Sequence, residues 1–200
     1  MAYLSSRAIR HDYIKMRAAL SSAFVASNSK IICNHIKQNS QYREAKHIAI
    51  YYATRGEVDI TSLVKRAAFH GKQHYMPVCR GEQLLFLPVN TKTEYKKNKY
   101  NILEPDVPLS EARPVEQLDI IFLPVVAFDP SGVRLGMGKG YYDKTLASIQ
   151  SLLSNTQLPY LFGVAYQFQK QDILIKNPWD IMLHATLTES QTYWTNQLHY

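Results

Sequence analysis

Between Ser5 and Ile36 the apolar residues Ile9, Tyr13, Ile14, Leu20, Phe24, Val25, Ile31, Ile32 and Ile36 recur at intervals near three and four. That repeat belongs to an amphipathic helix, one long or broken, with a single face turned to a core. The period then changes. His47 to Ala53 is a run of β-branched, aromatic and small residues that stops at Thr54-Arg55-Gly56, the pattern of a buried strand ending in a turn. Asp59 is placed to cap a following helix through Leu63, Val64 and Ala67, closed by Gly71.

Gln73 to Cys79 and Leu84 to Val89 read as two strands of a hairpin turned at Arg80-Gly81-Glu82-Gln83. Thr91 to Pro114 is rich in Lys, Asn, Glu and Pro, and reads as a long surface loop with Asn101 to Pro105 as an ordered turn. The most apolar stretch is Leu118 to Phe128, suited to a central strand covered on both faces if Pro124 sits where no ladder donor is needed. A helix from about Gly140 to Leu153 follows, then strands at Tyr160 to Tyr166 and near Ala185 to Thr188. Strands alternating with helices imply an α/β fold with a mainly parallel sheet and helices on both faces.

Length and charge narrow the picture. With 200 residues, 46% of them hydrophobic, the chain has material for one core, so a single domain over residues 1–200 is expected. Met1 to Leu4 leads straight into polar and basic residues, and no apolar run has the length of a signal core or a membrane span. A cytoplasmic monomer without membrane contact is the expectation. Cys33 and Cys79 lack CxxC or His/Cys metal spacing and read as reduced core residues. The net charge of +7 favours anionic partners. Because the basic residues do not interleave with aromatics in a recognisable RNA-binding module, no nucleic acid is expected.

The densest chemistry lies from Asp129 to Asp143, where Gly132, Gly136, Gly138 and Gly140 accompany Arg134 and Lys139 between the best strand and a helix. Ligands of open α/β sheets gather at the carboxyl ends of strands, and a helix start presents unpaired N–H groups to phosphate. The glycines permit close backbone approach, and the two cations can neutralise the anion. It is not a Walker loop: the interval from Gly132 to Lys139 is one residue too long, and Gly140 stands where Ser or Thr is required. A dinucleotide fingerprint fails too, since Tyr141 occupies the place of its third glycine. Arg7, Arg10 and Arg17 share one helical face, either solvated or able to close over a polyphosphate. Glu57, after a buried strand, is by position either a turn residue or a ligand group.

The run Leu123-Pro124, Phe128-Asp129, Gly132, Arg134-Leu135-Gly136, Gly138-Lys139-Gly140, Tyr141-Tyr142-Asp143 and Leu146 resembles the signature of the 5-formyltetrahydrofolate cyclo-ligases. Arg7-x-x-Arg10 with Arg17 and Leu20-Ser21 is similar to that family's basic first helix, and Tyr51-Tyr52 with Gly56 to Asp59 to its folate-side segment. The resemblance implies a three-layer sandwich of the NagB/RpiA/CoA transferase-like kind. It also implies closure of 5-formyltetrahydrofolate, with or without a polyglutamate tail, to 5,10-methenyltetrahydrofolate, with ATP and Mg²⁺ as cofactors and a phosphorylated formyl group as intermediate.

Residue by residue, the resemblance and the in-line chemistry assign catalysis to Arg134, Lys139 and Tyr141. ATP falls to Arg7, Arg10, Arg134, Gly136, Gly138, Lys139, Gly140, Tyr141 and Tyr142; folate to Tyr52, Glu57 and Tyr141; and the metal to Asp143. Gly163 to Tyr166 with Gln169 resembles a late family strand. The closing segment Trp179 to His184 departs, with Met182 where many members have Pro and His184 where many have Asp. If the family's Asp helps hold magnesium, the metal here is expected to rest mainly on Asp143 and the ATP phosphates, and His184 reads as a surface or satisfied core histidine. A sugar-phosphate isomerase or acyl-CoA transferase would share the layout; the isomerase would need a base in the site and no ATP.

Overall fold

Strand β6 (Ile120–Pro124) alternates its side chains between two cores, as its period of two requires: Ile120 and Phe122 join one, Ile121 and Leu123 the other. The computed structural model that shows this describes residues 5–67, 70–99, 101–150 and 159–195. Around β6 the parallel strands β1 (His47–Ala49), β2 (Gln73–Arg80), β9 (Tyr160–Val164) and β10 (Ala185–Leu187) assemble. Two antiparallel strands, β3 (Gln83–Val89) and β11 (Thr192–Trp194), complete a seven-stranded sheet in the order β11-β10-β9-β6-β1-β2-β3.

Helices α2 (Ser22–Gln38) and α3 (Ser40–Glu44) cover one face through Ile32, Cys33, Ile36 and Tyr42. On the other, α4 (Tyr141–Gln150) contributes Leu146. This is the expected α/β sandwich with a mostly parallel sheet. Helix α1 (Ser6–Ala18) packs elsewhere: Ile9 and Tyr13 join Val133 and the residues Ala127 and Leu135 of a small ribbon formed by β7 (Ala127–Phe128) and β8 (Arg134–Leu135). Among the described residues no helix is long and apolar enough to cross a membrane.

Several expectations change in detail. The first helical region breaks at Ala19 to Ser21, because the Ser21 hydroxyl accepts the Phe24 N–H at 3.1 Å and starts a new helix. Asp59 accepts from Thr61 N–H and hydroxyl, but the element it leads into is a 3-10 helix, Thr61–Arg66, rather than an α-helix. The expected loop from Thr91 to Pro114 contains an antiparallel ribbon of β4 (Tyr95–Lys97) and β5 (Leu103–Pro105), tied to the sheet by buried Glu104, which accepts the Cys79 N–H at 2.8 Å. The Leu118 to Phe128 strand divides into β6 and β7, with Pro124 at the last ladder position of β6. The expected end of α4 at Leu153, like Met1 to Leu4, lies outside the described residues.

His74 on β2 is fully buried and, among the described residues, neither ring nitrogen has a hydrogen-bond partner, while burial, reinforced by Lys72, holds its imidazole down at about 4. Unfolded, the same ring titrates near the ordinary histidine value, so stability present above about pH 6.5 drains away as pH falls toward 4, by up to about 3 kcal/mol. Thermal unfolding of wild type and His74→Phe between these limits checks this: the midpoint of the variant should fall much less on acidification. Parallel decline would show that His74 does not set the acid limit.

Candidate active site

Asp129 builds the entrance to the glycine loop. It is buried; Oδ1 accepts from Ser131 N–H (2.9 Å), the Ser131 hydroxyl (2.6 Å) and Val133 N–H (3.2 Å), while Oδ2 accepts Leu174 N–H at 2.8 Å. The chain can turn so sharply because Gly132 adopts φ +94°, where a Cβ would lie 2.6 Å from the Leu183 carbonyl oxygen. Loop and closing segment are thereby fastened together.

From there Arg134 turns inward. Its guanidinium donates to the Ile181 carbonyl and, at 2.5 Å, to Asp143 Oδ1, which also accepts the Ile181 N–H at 3.4 Å. Asp143 sits in the first turn of α4, a favourable place for a carboxylate. Beyond Arg134, Gly138 (φ +92°) and Gly140 (φ +67°) carry the chain into α4, leaving Lys139 exposed between them. Arg10 Nε donates to the Gly136 carbonyl at 2.7 Å, and its guanidinium lies against Gly138. Arg10, Lys139 and the start of α4 therefore stand together around one loop.

Glu57, just past β1, is buried. Oε1 accepts from Arg17 Nη2 at 3.3 Å, and Oε2 accepts Thr54 N–H at 2.9 Å and the Thr54 hydroxyl at 3.3 Å. Burial raises its carboxyl above the ordinary carboxylate range, and the Arg17 charge opposes that rise. Tyr142 joins the two halves: burial first, then the Glu57 charge, pushes its phenol up, and Arg134 pulls it down. Burial, then the Glu104 charge, pushes the Cys79 thiol up, and Tyr141 and Lys139 oppose that rise. Tyr52 is exposed, its ring 6.0 Å from that of Tyr95 on β4.

The arginine face expected on α1 divides. Arg7 is exposed and Arg10 reaches the loop, but Arg17 is buried and cannot close over a polyphosphate, since its guanidinium is committed to Glu57 and the Val125 carbonyl. Arg134 and Asp143, expected to serve nucleotide and metal separately, form an ion pair. His184 Nδ1 accepts the Leu161 N–H at 2.9 Å, and burial lowers its imidazole, so it serves the sheet. Gln169 is buried and bridges the Val125 and Val126 carbonyls to Tyr166 N–H. The bracing by Asp129 and the Ile181 backbone went unread in the sequence, although Asp129-Pro130-Ser131 carries the signal of a side-chain-closed turn.

Among the described residues no group of three or more His, Cys, Asp or Glu side chains is placed to hold a metal ion. A divalent cation would have Asp143 Oδ2 and phosphate oxygens, a donor set that suits Mg²⁺, which keeps most of its waters beside one or two carboxylates. Glycines open to approach and cations at a helix start likewise fit a polyphosphate.

The 5-formyltetrahydrofolate cyclo-ligase family matches residues 3–189. A 5-formyltetrahydrofolate cyclo-ligase of Haemophilus influenzae is 35% identical over 182 residues, covering 90% of this chain and 95% of that protein. One of Escherichia coli K12 is 34% identical over 152 residues, 74% of this chain and 81% of the relative. The solved 5,10-methenyltetrahydrofolate synthetase of Aquifex aeolicus superposes with a TM-score of 0.82 at 27% identity, covering 98% of this chain and 96% of that one. Matched by that family over residues 3–189, and by relatives of closely similar length, this chain belongs to the 5-formyltetrahydrofolate cyclo-ligase family.

Proposed function

We propose that this protein closes 5-formyltetrahydrofolate to 5,10-methenyltetrahydrofolate at the expense of ATP, with release of ADP and phosphate. The observation that supports the reading is Tyr142 in the first turn of α4, whose phenol feels the charges of both Glu57 and Arg134, so that the carboxylate read as folate-side and the loop read as phosphate-side act on one side chain. A formamide oxygen leaves poorly; the γ-phosphoryl of ATP makes it a phosphate, and the neighbouring folate nitrogen can then close on the formyl carbon. Such a route asks the protein for in-line positioning and charge neutralisation.

Lys139 and Arg10 supply positive charge at the loop, and Gly136, Gly138 and Gly140 supply close backbone approach. Arg7, exposed on α1 one turn before Arg10, can add to the same field. Arg134 acts from within, holding Asp143 and the closing segment, so that Asp143 offers Oδ2 to Mg²⁺. Glu57 accepts the pterin's amide-like edge; Tyr52 lines that pocket, and Tyr141 borders the formyl group.

The test is absorbance in the methenyl-folate band after mixing the protein with 5-formyltetrahydrofolate, Mg²⁺ and ATP, beside a mixture without ATP. Growth of the band only with ATP is expected. A flat trace from folded protein would assign the loop to other phosphate chemistry, and growth without ATP would remove the phosphorylated intermediate.

A further inference from the structure

Arg17 has no part in the reaction as described, yet it is the most deeply placed cation on α1. It is 1% exposed, and its two terminal nitrogens donate to the Val125 carbonyl (3.2 Å) and to Glu57 Oε1 (3.3 Å). Gly56 is part of the same fit: a Cβ there would stand 2.2 Å from the Arg17 carbonyl oxygen, so only glycine lets α1 seat against the turn before Glu57. Val125 O also accepts from Gln169 Nε2 at 2.8 Å, which fixes the far side of the guanidinium's anchor.

A carboxylate buried beside phenols tends to take up a proton, and a protonated carboxyl accepts fewer hydrogen bonds from a ligand. Thr54 in its own turn and Arg17 on α1 bond Glu57, and the phenols of Tyr51, two residues past β1, and Tyr142 on α4 lie within its electrostatic reach. Of these only Arg17 is positively charged, and its planar fork gives the carboxylate a fixed orientation that an ammonium would not. We propose that Arg17 is a positioning residue for the folate: it holds Glu57 ionised and in one orientation, ready to accept the N–H edge of the pterin.

The inference rests on the placement of folate at Glu57 in the preceding section, and the experiment separates the two. Equilibrium titration of 5-formyltetrahydrofolate without ATP, and of a non-hydrolysable ATP analogue in parallel, is made on wild type, Arg17→Gln, Arg17→Lys and Glu57→Gln. At about pH 6.5 Arg17→Gln should bind the folate at least about tenfold more weakly, and the deficit should shrink at about pH 8.5, since higher pH favours the ionised carboxylate. Arg17→Lys, which keeps the charge but not the two-point hold, should recover only part of the loss, and the ATP analogue should bind all of them alike.

Folate affinity unchanged in Arg17→Gln but reduced in Glu57→Gln overturns the role of Arg17 alone. A loss that is the same at both pH values, and shared with the ATP analogue, overturns it in favour of a merely structural one. Wild-type affinity in Glu57→Gln removes the folate placement and this inference with it. Should Arg17→Gln not fold, the carboxyl carbon resonance of Glu57 in the wild-type protein decides: constancy between about pH 6 and 8 supports the proposal, and titration within that interval overturns it.

Discussion

Lys139→Ala is expected to lower turnover by more than about tenfold, a loss of at least about 1.4 kcal/mol at the transition state, with no measurable change in thermal unfolding. The side chain is exposed between two glycines of positive φ at the start of α4, so its removal leaves no cavity. Under the proposed reaction, what disappears is a cation at the place where phosphoryl charge moves from one oxygen to another. Because that charge is redistributed only during transfer, kcat should fall more than the apparent affinity for ATP. Lys139→Arg, which keeps the charge with a different reach, should recover part of the rate. Steady-state kinetics for both nucleotide and folate decide the matter: undiminished turnover in Lys139→Ala removes this residue from the mechanism.

Asp129→Ala should act through architecture. Removing its carboxylate strands the N–H groups of Ser131, Val133 and Leu174 in a site where Asp129 itself is 2% exposed, at a cost of at least about 3 kcal/mol. Urea unfolding should show the midpoint lowered with an unchanged slope. Turnover should be lost as well, because the same carboxylate holds the loop against the segment that reaches Ile181. Asp129→Asn should fall between, since an amide can satisfy the donors at one of its two termini and opposes those at the other. A variant of wild-type stability would mean that other bonds suffice to close this turn.

How far such features can be read ahead of the fold depends on whether their cause is local. The β2–β3 hairpin and the glycine run before α4 are set by residues adjacent in sequence and stand where the pattern places them, while the apolar stretch around β6 is a central strand as expected but a shorter one. The β4–β5 ribbon was invisible because three-residue strands show no useful alternation; its order comes from Glu104, Asn98 and Cys79 meeting through the fold. The Arg134–Asp143 pair depends on a backbone reversal that charge spacing alone does not encode. Arg17 had a legible sign that its charge concealed. It continues the stripe of Ile9 and Tyr13 at intervals of four, so a helix seated on that stripe must carry Arg17 inward.

The outer edge of β3 offers a last consequence. At its middle, the Arg113 N–H bonds the Phe86 carbonyl at 2.9 Å, and Arg113 and Phe86 form an isolated antiparallel bridge. A strand from a second molecule approaching this margin of the sheet meets a ladder already interrupted at its centre by the chain's own backbone. The segment before β6 thus also serves as a guard against sheet-to-sheet aggregation, a hazard that an open strand of seven residues would otherwise present.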